Sequence, residues 1–95
     1  MASYFVYVVR CADDTFYTGI STDVERRLAE HNGVRRGAKY TRARRPVHLA
    51  YCEAVENRSD AQRREHALKK LTRAEKETLA GSSWQSVAKN ILATR

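Results

Sequence analysis

The chain has 95 residues, enough for one domain around a single core and too few for two that each fold alone. Hydrophobic residues make up 42% and charged ones 31%, the balance of an ordinary globular protein, which argues against a disordered or fibrous one. Eighteen Lys and Arg against eleven Asp and Glu give a formal charge of +7 and a pI near 9.9, pointing to a polyanionic partner, nucleic acid before membrane.

The opening MASYFVYVVRC carries no basic stretch ahead of its apolar run, and that run ends at Arg10. It therefore reads as a strand of a cytoplasmic protein, neither a signal peptide nor a membrane span. Cys11 and Cys52 lie far apart with no CxxC pairing, poor material for a zinc site or a disulfide framework, and are expected to be reduced and packed. Residues 4 to 10, YFVYVVR, are almost wholly aromatic or β-branched, and residues 16 to 20, FYTGI, repeat that character after a turn-like stretch, so the two predict a β-hairpin. Its register is open: a five-residue connection puts Tyr7 and Tyr17 on one face, a four-residue one on opposite faces.

Thr22 to Glu25 fits a capping box and opens a helix that runs to about His31, where Asn32-Gly33 would stop it with a left-handed cap. Residues 33 to 46 form a basic, irregular stretch with Arg35, Arg36, Lys39, Arg42, Arg44 and Arg45. VHLAYCEAV at 47 to 55 predicts a third strand with Val47, Leu49, Tyr51 and Val55 on one face. Ser59 with Gln62, and Thr72 with Glu75, look like capping boxes for two further helices, ending near Leu71 and Gly81. A last helix is predicted from about Trp84 to Leu92. The order β-β-α-β-α-α-α makes the fold class α+β: a three-stranded antiparallel sheet flanked by helices, in one domain spanning 1–95.

Two charges interrupt apolar stripes. In the first helix the inward positions are Val24, Arg27, Leu28 and His31; in the helix after Ser59 they are Ala61, Glu65, Leu68 and Thr72. An unpaired buried charge is costly, so such residues are paired, at a cleft rim, or engaged with a ligand or metal. Each also has an ordinary reading. Glu65 can pair with Lys69 one turn on, Arg27 can be surface charge beside Arg26, His31 can favour the negative helix end, and Tyr7 and Tyr17 can simply pack.

Taken jointly, these residues resemble the GIY-YIG nuclease superfamily. Phe5-Val6-Tyr7 resembles its first motif and Tyr17-Thr18-Gly19 its second; Arg27 and His31 stand where the family has an arginine and, one turn later, a histidine or tyrosine. Glu65, within AQRREHALKKL, matches the family's metal-binding glutamate, and the HNG, KYTR and LTRAEKE segments are similar to the small stand-alone bacterial members, so that the match covers residues 4 to 80. The framework positions Phe5, Val6 and Thr18 depart from the name motif, and the late asparagine of many members has no counterpart within the matched region, Asn90 lying beyond it.

The resemblance implies a phosphodiester-cleaving site made of Tyr7, Tyr17, Arg27, His31 and Glu65, using Mg²⁺ or Mn²⁺ held by Glu65. Tyr7 would deprotonate or position the attacking water, Tyr17 hold water or phosphate, and Arg27 donate to a non-bridging oxygen. His31 would relay a proton or contact phosphate. Gly19 would allow a close approach by backbone or phosphate. Nucleic acid, DNA ahead of RNA, would be gripped by Arg35, Arg36, Lys39, Arg42, Arg44, Arg45 and Lys69, with no membrane partner and the oligomeric state open. Two other readings compete: a binding module of the same fold without turnover, and a helix-turn-helix reader using Arg63, Arg64, Lys69 and Lys70. The second lacks a glycine turn at Leu71-Thr72-Arg73.

Overall fold

The computed structural model describes residues 4–33, 41 and 43–82. Arg35, Arg36, Lys39, Arg42, the helix expected at 84–92 and Asn90 lie outside the described residues. Within them the order is β1 (Tyr4–Arg10), β2 (Phe16–Ser21), α1 (Val24–Asn32), β3 (His48–Val55), α2 (Arg58–Lys69) and α3 (Arg73–Ala80). The strands form one antiparallel sheet in the order β2-β1-β3, so the class is α+β as the patterning predicts.

β1 is central, and this explains its unbroken run of apolar residues: both of its faces are covered. Phe5, Tyr7 and Val9 pack with Cys11, Val24 of α1, Val47 and Cys52 on one side. Val6 and Val8 pack with Ala61 and Leu68 of α2 on the other. Each fully buried valine contributes about 1.5–3 kcal/mol relative to exposure. Both cysteines are buried and free.

Arg10 stands opposite Phe16, so the hairpin connection is the five residues Cys11 to Thr15. Asp14 takes the left-handed conformation there (φ 69°), and Asp13 Oδ1 accepts from both the amide and hydroxyl of Thr15. With Tyr7 opposite Gly19 and Val9 opposite Tyr17, the two tyrosines share the α1-facing side of the sheet.

Four local expectations need correction. α1 is capped by Asp23, whose carboxylate accepts from the Arg26 amide, because a carboxylate one residue nearer competes better than the Thr22 hydroxyl. Gly33 is extended (φ −83°) and not left-handed. α2 is capped by Asn57, which accepts from the Asp60 amide, so Ser59 already lies within the helix. Only the Thr72–Glu75 box forms as read, with both reciprocal bonds present, which leaves Thr72 capping α3 and not facing inward from α2.

β3 holds the larger difference. Val8 faces Tyr51 while Val9 faces Leu49, leaving Ala50 as an extra residue that reverses the alternation. Val47 and Leu49 therefore join the α1-side cluster and Tyr51 and Val55 the α2-side cluster. Arg64 of α2 makes a two-pronged bond to Glu53 at 2.7 and 2.8 Å, fixing the helix against this strand.

The cap assignment separates two adjacent residues. Asp23→Ala should cost about 1 kcal/mol in urea unfolding, whereas Thr22→Ala should stay within about 0.5 kcal/mol. The opposite ranking would return the cap to Thr22.

Candidate active site

Tyr7 is the middle residue of the central strand, and the alternation of side chains along it turns Tyr7 with Phe5 and Val9 to the α1 side of the sheet. Across the pair from it is Gly19, and the ring lies over that residue. A Cβ placed on Gly19 would meet the Tyr7 hydroxyl at 2.5 Å and its ring at 2.6 Å. The close approach expected at Gly19 is thus made by Tyr7 itself.

From α1, the inward stripe delivers Val24, Leu28 and His31 to the same face, with Val24 and His31 fully buried. Tyr7 Oη and His31 Nε2 are 2.7 Å apart, and His31 Nδ1 and Thr41 Oγ1 are 2.9 Å apart. His31 and Thr41 are both 0% exposed, so both ring nitrogens are engaged away from solvent. Tyr17 closes the third side, its ring edge-on to the imidazole at 5.4 Å between centroids.

Three contacts stitch the end of α1 to the segment before β3 and hold His31 in place. Asn32 Nδ2 donates to the Val47 carbonyl and the Val47 amide donates to Asn32 Oδ1, at 3.0 and 2.7 Å. Arg45 Nε donates to the His31 carbonyl at 2.9 Å.

Electrostatics follow from burial. Desolvation pushes the Tyr7 phenol up to about 12, although a hydrogen bond and the positive charge of Arg27 pull it back; the charges of Tyr17 and Glu65 add to the rise. His31 is lowered to about 4, first by desolvation and then by the charge of Arg27, with Glu30 opposing. At neutral pH the pair is therefore a protonated tyrosine against a neutral imidazole. A neutral ring has no charge with which to favour the negative end of the helix, the ordinary reading of His31. Arg27 is held by Glu30 Oε1 at 3.0 Å and remains about a third exposed. Its own pKa is raised by the bonds to Glu30 and Tyr7 despite desolvation, so it stays charged.

Glu65 comes from α2, on the opposite side of the sheet, and its charge still registers at Tyr7. Its side chain is 26% exposed, lies 3.5 Å from Lys69, and borders a cavity of about 320 Å³ with Tyr4, Ile20, Ser21 and Arg58. Among the described residues no group of three or more His, Cys, Asp or Glu is placed to hold a metal. A single carboxylate facing an open cavity fits Mg²⁺ or Mn²⁺, which keep most of their waters; it does not fit a metal that needs a full protein cage.

The structure thus gathers Tyr7, Tyr17, Arg27 and His31, with Glu65 at the margin. Three of the basic residues expected to bind the nucleic-acid backbone also have partners within the chain. Arg44 Nε donates to Asp13 at 2.9 Å, Arg45 bonds the His31 carbonyl, and Lys69 faces Glu65. Two residues of the site were not picked out from sequence. Glu30 was legible as an opposite charge three residues after Arg27. Thr41 lies in the KYTR segment that carries part of the resemblance, but nothing in a basic run marks its hydroxyl for burial.

The GIY-YIG catalytic domain matches residues 3–78 of the chain. A UPF0213 protein of Desulfotalea psychrophila is 52% identical over 81 residues, 85% of this chain and 74% of that one. Another, from Halobacterium salinarum, is 54% identical over 76 residues, 80% and 97% of the two chains. Among solved structures, the solution NMR structure of a UPF0213 protein from Bacillus halodurans is similar with a TM-score of 0.54 at 40% identity, covering 85% of each chain. That of a protein from E. faecalis gives 0.55 at 42%, covering 97% of this chain and 90% of that one.

Two measurements check the geometry. Gly19→Ala should displace the Tyr7 ring and destabilise the fold by roughly 1–3 kcal/mol in urea unfolding; unchanged stability would mean that the ring does not depend on the bare backbone. The imidazole resonance of His31 should titrate near 4. Because its folded pKa lies below the usual 6.5, the unfolded chain takes up the proton first. The stability it contributes is full above 6.5 and declines as the pH falls towards 4. A midpoint near 6.5 would contradict the buried, neutral ring.

Proposed function

Because the chain belongs to the GIY-YIG family, a family of nuclease domains acting on nucleic acid, we propose that it is a divalent-metal-dependent nuclease cleaving DNA, single-stranded or structured, in the cytoplasm. The observation that carries this reading is the buried Tyr7–His31 hydrogen bond beside the charged Arg27. A tyrosine near 12 is a poor base alone. Coupled to a neutral imidazole, it accepts a proton from water while giving up its own.

In the proposed step, a water O–H bond breaks and its proton passes to Tyr7 Oη as the Tyr7 proton passes to His31 Nε2. The water oxygen bonds to phosphorus, and the P–O3′ bond breaks with its electron pair on the leaving oxygen. Tyr7 ends neutral and His31 carries the proton, so His31 takes the relay role and not the phosphate-contacting one, for which it has no exposed surface. Arg27, already oriented by Glu30, donates to a non-bridging oxygen, and Tyr17 positions the water or phosphate. Glu65 would hold Mg²⁺ or Mn²⁺, which when bound supplies Lewis-acid charge for the phosphate and the leaving oxygen. Lys69, Arg44 and the basic residues Arg35, Arg36, Lys39 and Arg42 supply the backbone-binding charge, consistent with the net +7. No helix among the described residues is long and apolar enough to cross a membrane.

The Glu65–Lys69 contact favours a second reading, in which the chain binds nucleic acid without cutting it and Glu65 is only half of a surface ion pair. The deciding experiment incubates purified protein with labelled single-stranded, duplex, flapped and RNA oligonucleotides, with Mg²⁺ or with chelator. Wild type should cleave only with metal. Glu65→Gln should lose turnover at ordinary magnesium concentrations while binding is retained or strengthened, because a negative charge facing phosphate is removed. Full metal-dependent cleavage by Glu65→Gln would end the assignment of Glu65, and no cleavage by wild type on any substrate would favour the binding module.

A further inference from the structure

Tyr7 is 2% exposed, so its hydroxyl proton needs an acceptor within the protein. Among the described residues its hydrogen-bond partners are Arg27, which has only donors, and His31 Nε2 at 2.7 Å. Arg27 takes an oxygen lone pair, and the hydroxyl proton then has Nε2 as its acceptor. A neutral imidazole that accepts at Nε2 carries its own proton at Nδ1, and that atom lies 2.9 Å from Thr41 Oγ1. The four groups make a directed chain: Arg27 to Tyr7, Tyr7 to His31, His31 to Thr41.

We propose that Thr41 is a positioning residue that fixes the tautomer of His31, accepting the Nδ1 proton so that Nε2 is kept as the acceptor for the Tyr7 proton. With Thr41 in place, the ring can take up a second proton only at Nε2, where Tyr7 delivers it. With valine in its place the Nδ1–H loses that oxygen, and the ring shifts towards the Nε2–H form. In that form Nε2 donates to Tyr7 and has no lone pair for its proton. The catalytic consequence rests on the nuclease reading; the tautomer does not.

The test is ¹⁵N NMR of the imidazole nitrogens in the full chain, for wild type, Thr41→Val and Thr41→Ser, together with steady-state cleavage. Wild-type His31 should show a protonated Nδ1 and an unprotonated Nε2. Thr41→Val should move the population to Nε2–H and lower kcat by roughly ten- to a hundredfold, with KM within about twofold. Thr41→Ser should restore the Nδ1–H form and most of the lost kcat. A purely structural role would lower the unfolding midpoint without moving the nitrogen shifts. Nε2–H in the wild type, or unchanged shifts in a folded Thr41→Val, would overturn the proposal. An absence of cleavage by the wild type would instead refute the nuclease reading while the nitrogen shifts still decide the role of Thr41.

Discussion

The hydrogen bond between Tyr7 and His31 constrains the surrounding structure, because it joins the centre of the sheet to the last turn of a helix inside a dry interior. A tyrosine hydroxyl and an imidazole cannot be withdrawn from water unless each finds a partner, and leaving either unpaired would cost on the order of 1–3 kcal/mol. Several otherwise unrelated features serve that pairing. The bare backbone at Gly19 makes room for the phenol ring, the five-residue hairpin connection sets the register that puts Gly19 opposite it, and the Asn32–Val47 amide pair fixes the helix end that carries His31. Burial also sets the charge state, raising Tyr7 and lowering His31 in directions that keep both neutral.

Charge enters from the edges of this neutral pair. Arg27 remains partly exposed and ion-paired to Glu30, so it holds its charge at the mouth of the site without the penalty of full burial. Glu65 approaches from the helix on the far side of the sheet. The two charged groups act on Tyr7 in opposite senses, Arg27 lowering its pKa and Glu65 raising it.

Much of this was legible in the sequence. The order of strands and helices followed from the apolar runs, and Arg27 and Glu65 stood out as charges in apolar stripes. Tyr7, Tyr17 and His31, each ordinary alone, gained meaning from their joint spacing. What escaped the sequence has physical causes. The Ala50 bulge inverts half of β3: Val47, Leu49, Tyr51 and Val55 alternate along the chain as if on one face, and that pattern carries no sign of an extra residue in the pairing. Caps moved by a residue or two because Asp23 and Asn57 compete with the neighbouring hydroxyls of Thr22 and Ser59. Thr41 lies ten residues from the ring it touches, a contact made by the fold and by no local pattern.

The reciprocal amide pair between Asn32 and Val47 works as one rung of a ladder in which a side chain stands in for a backbone group. It fastens the last residue of α1 to the residue before β3 through a donor and an acceptor at once, so the helix end that carries His31 cannot slide or turn against the sheet without breaking two bonds together.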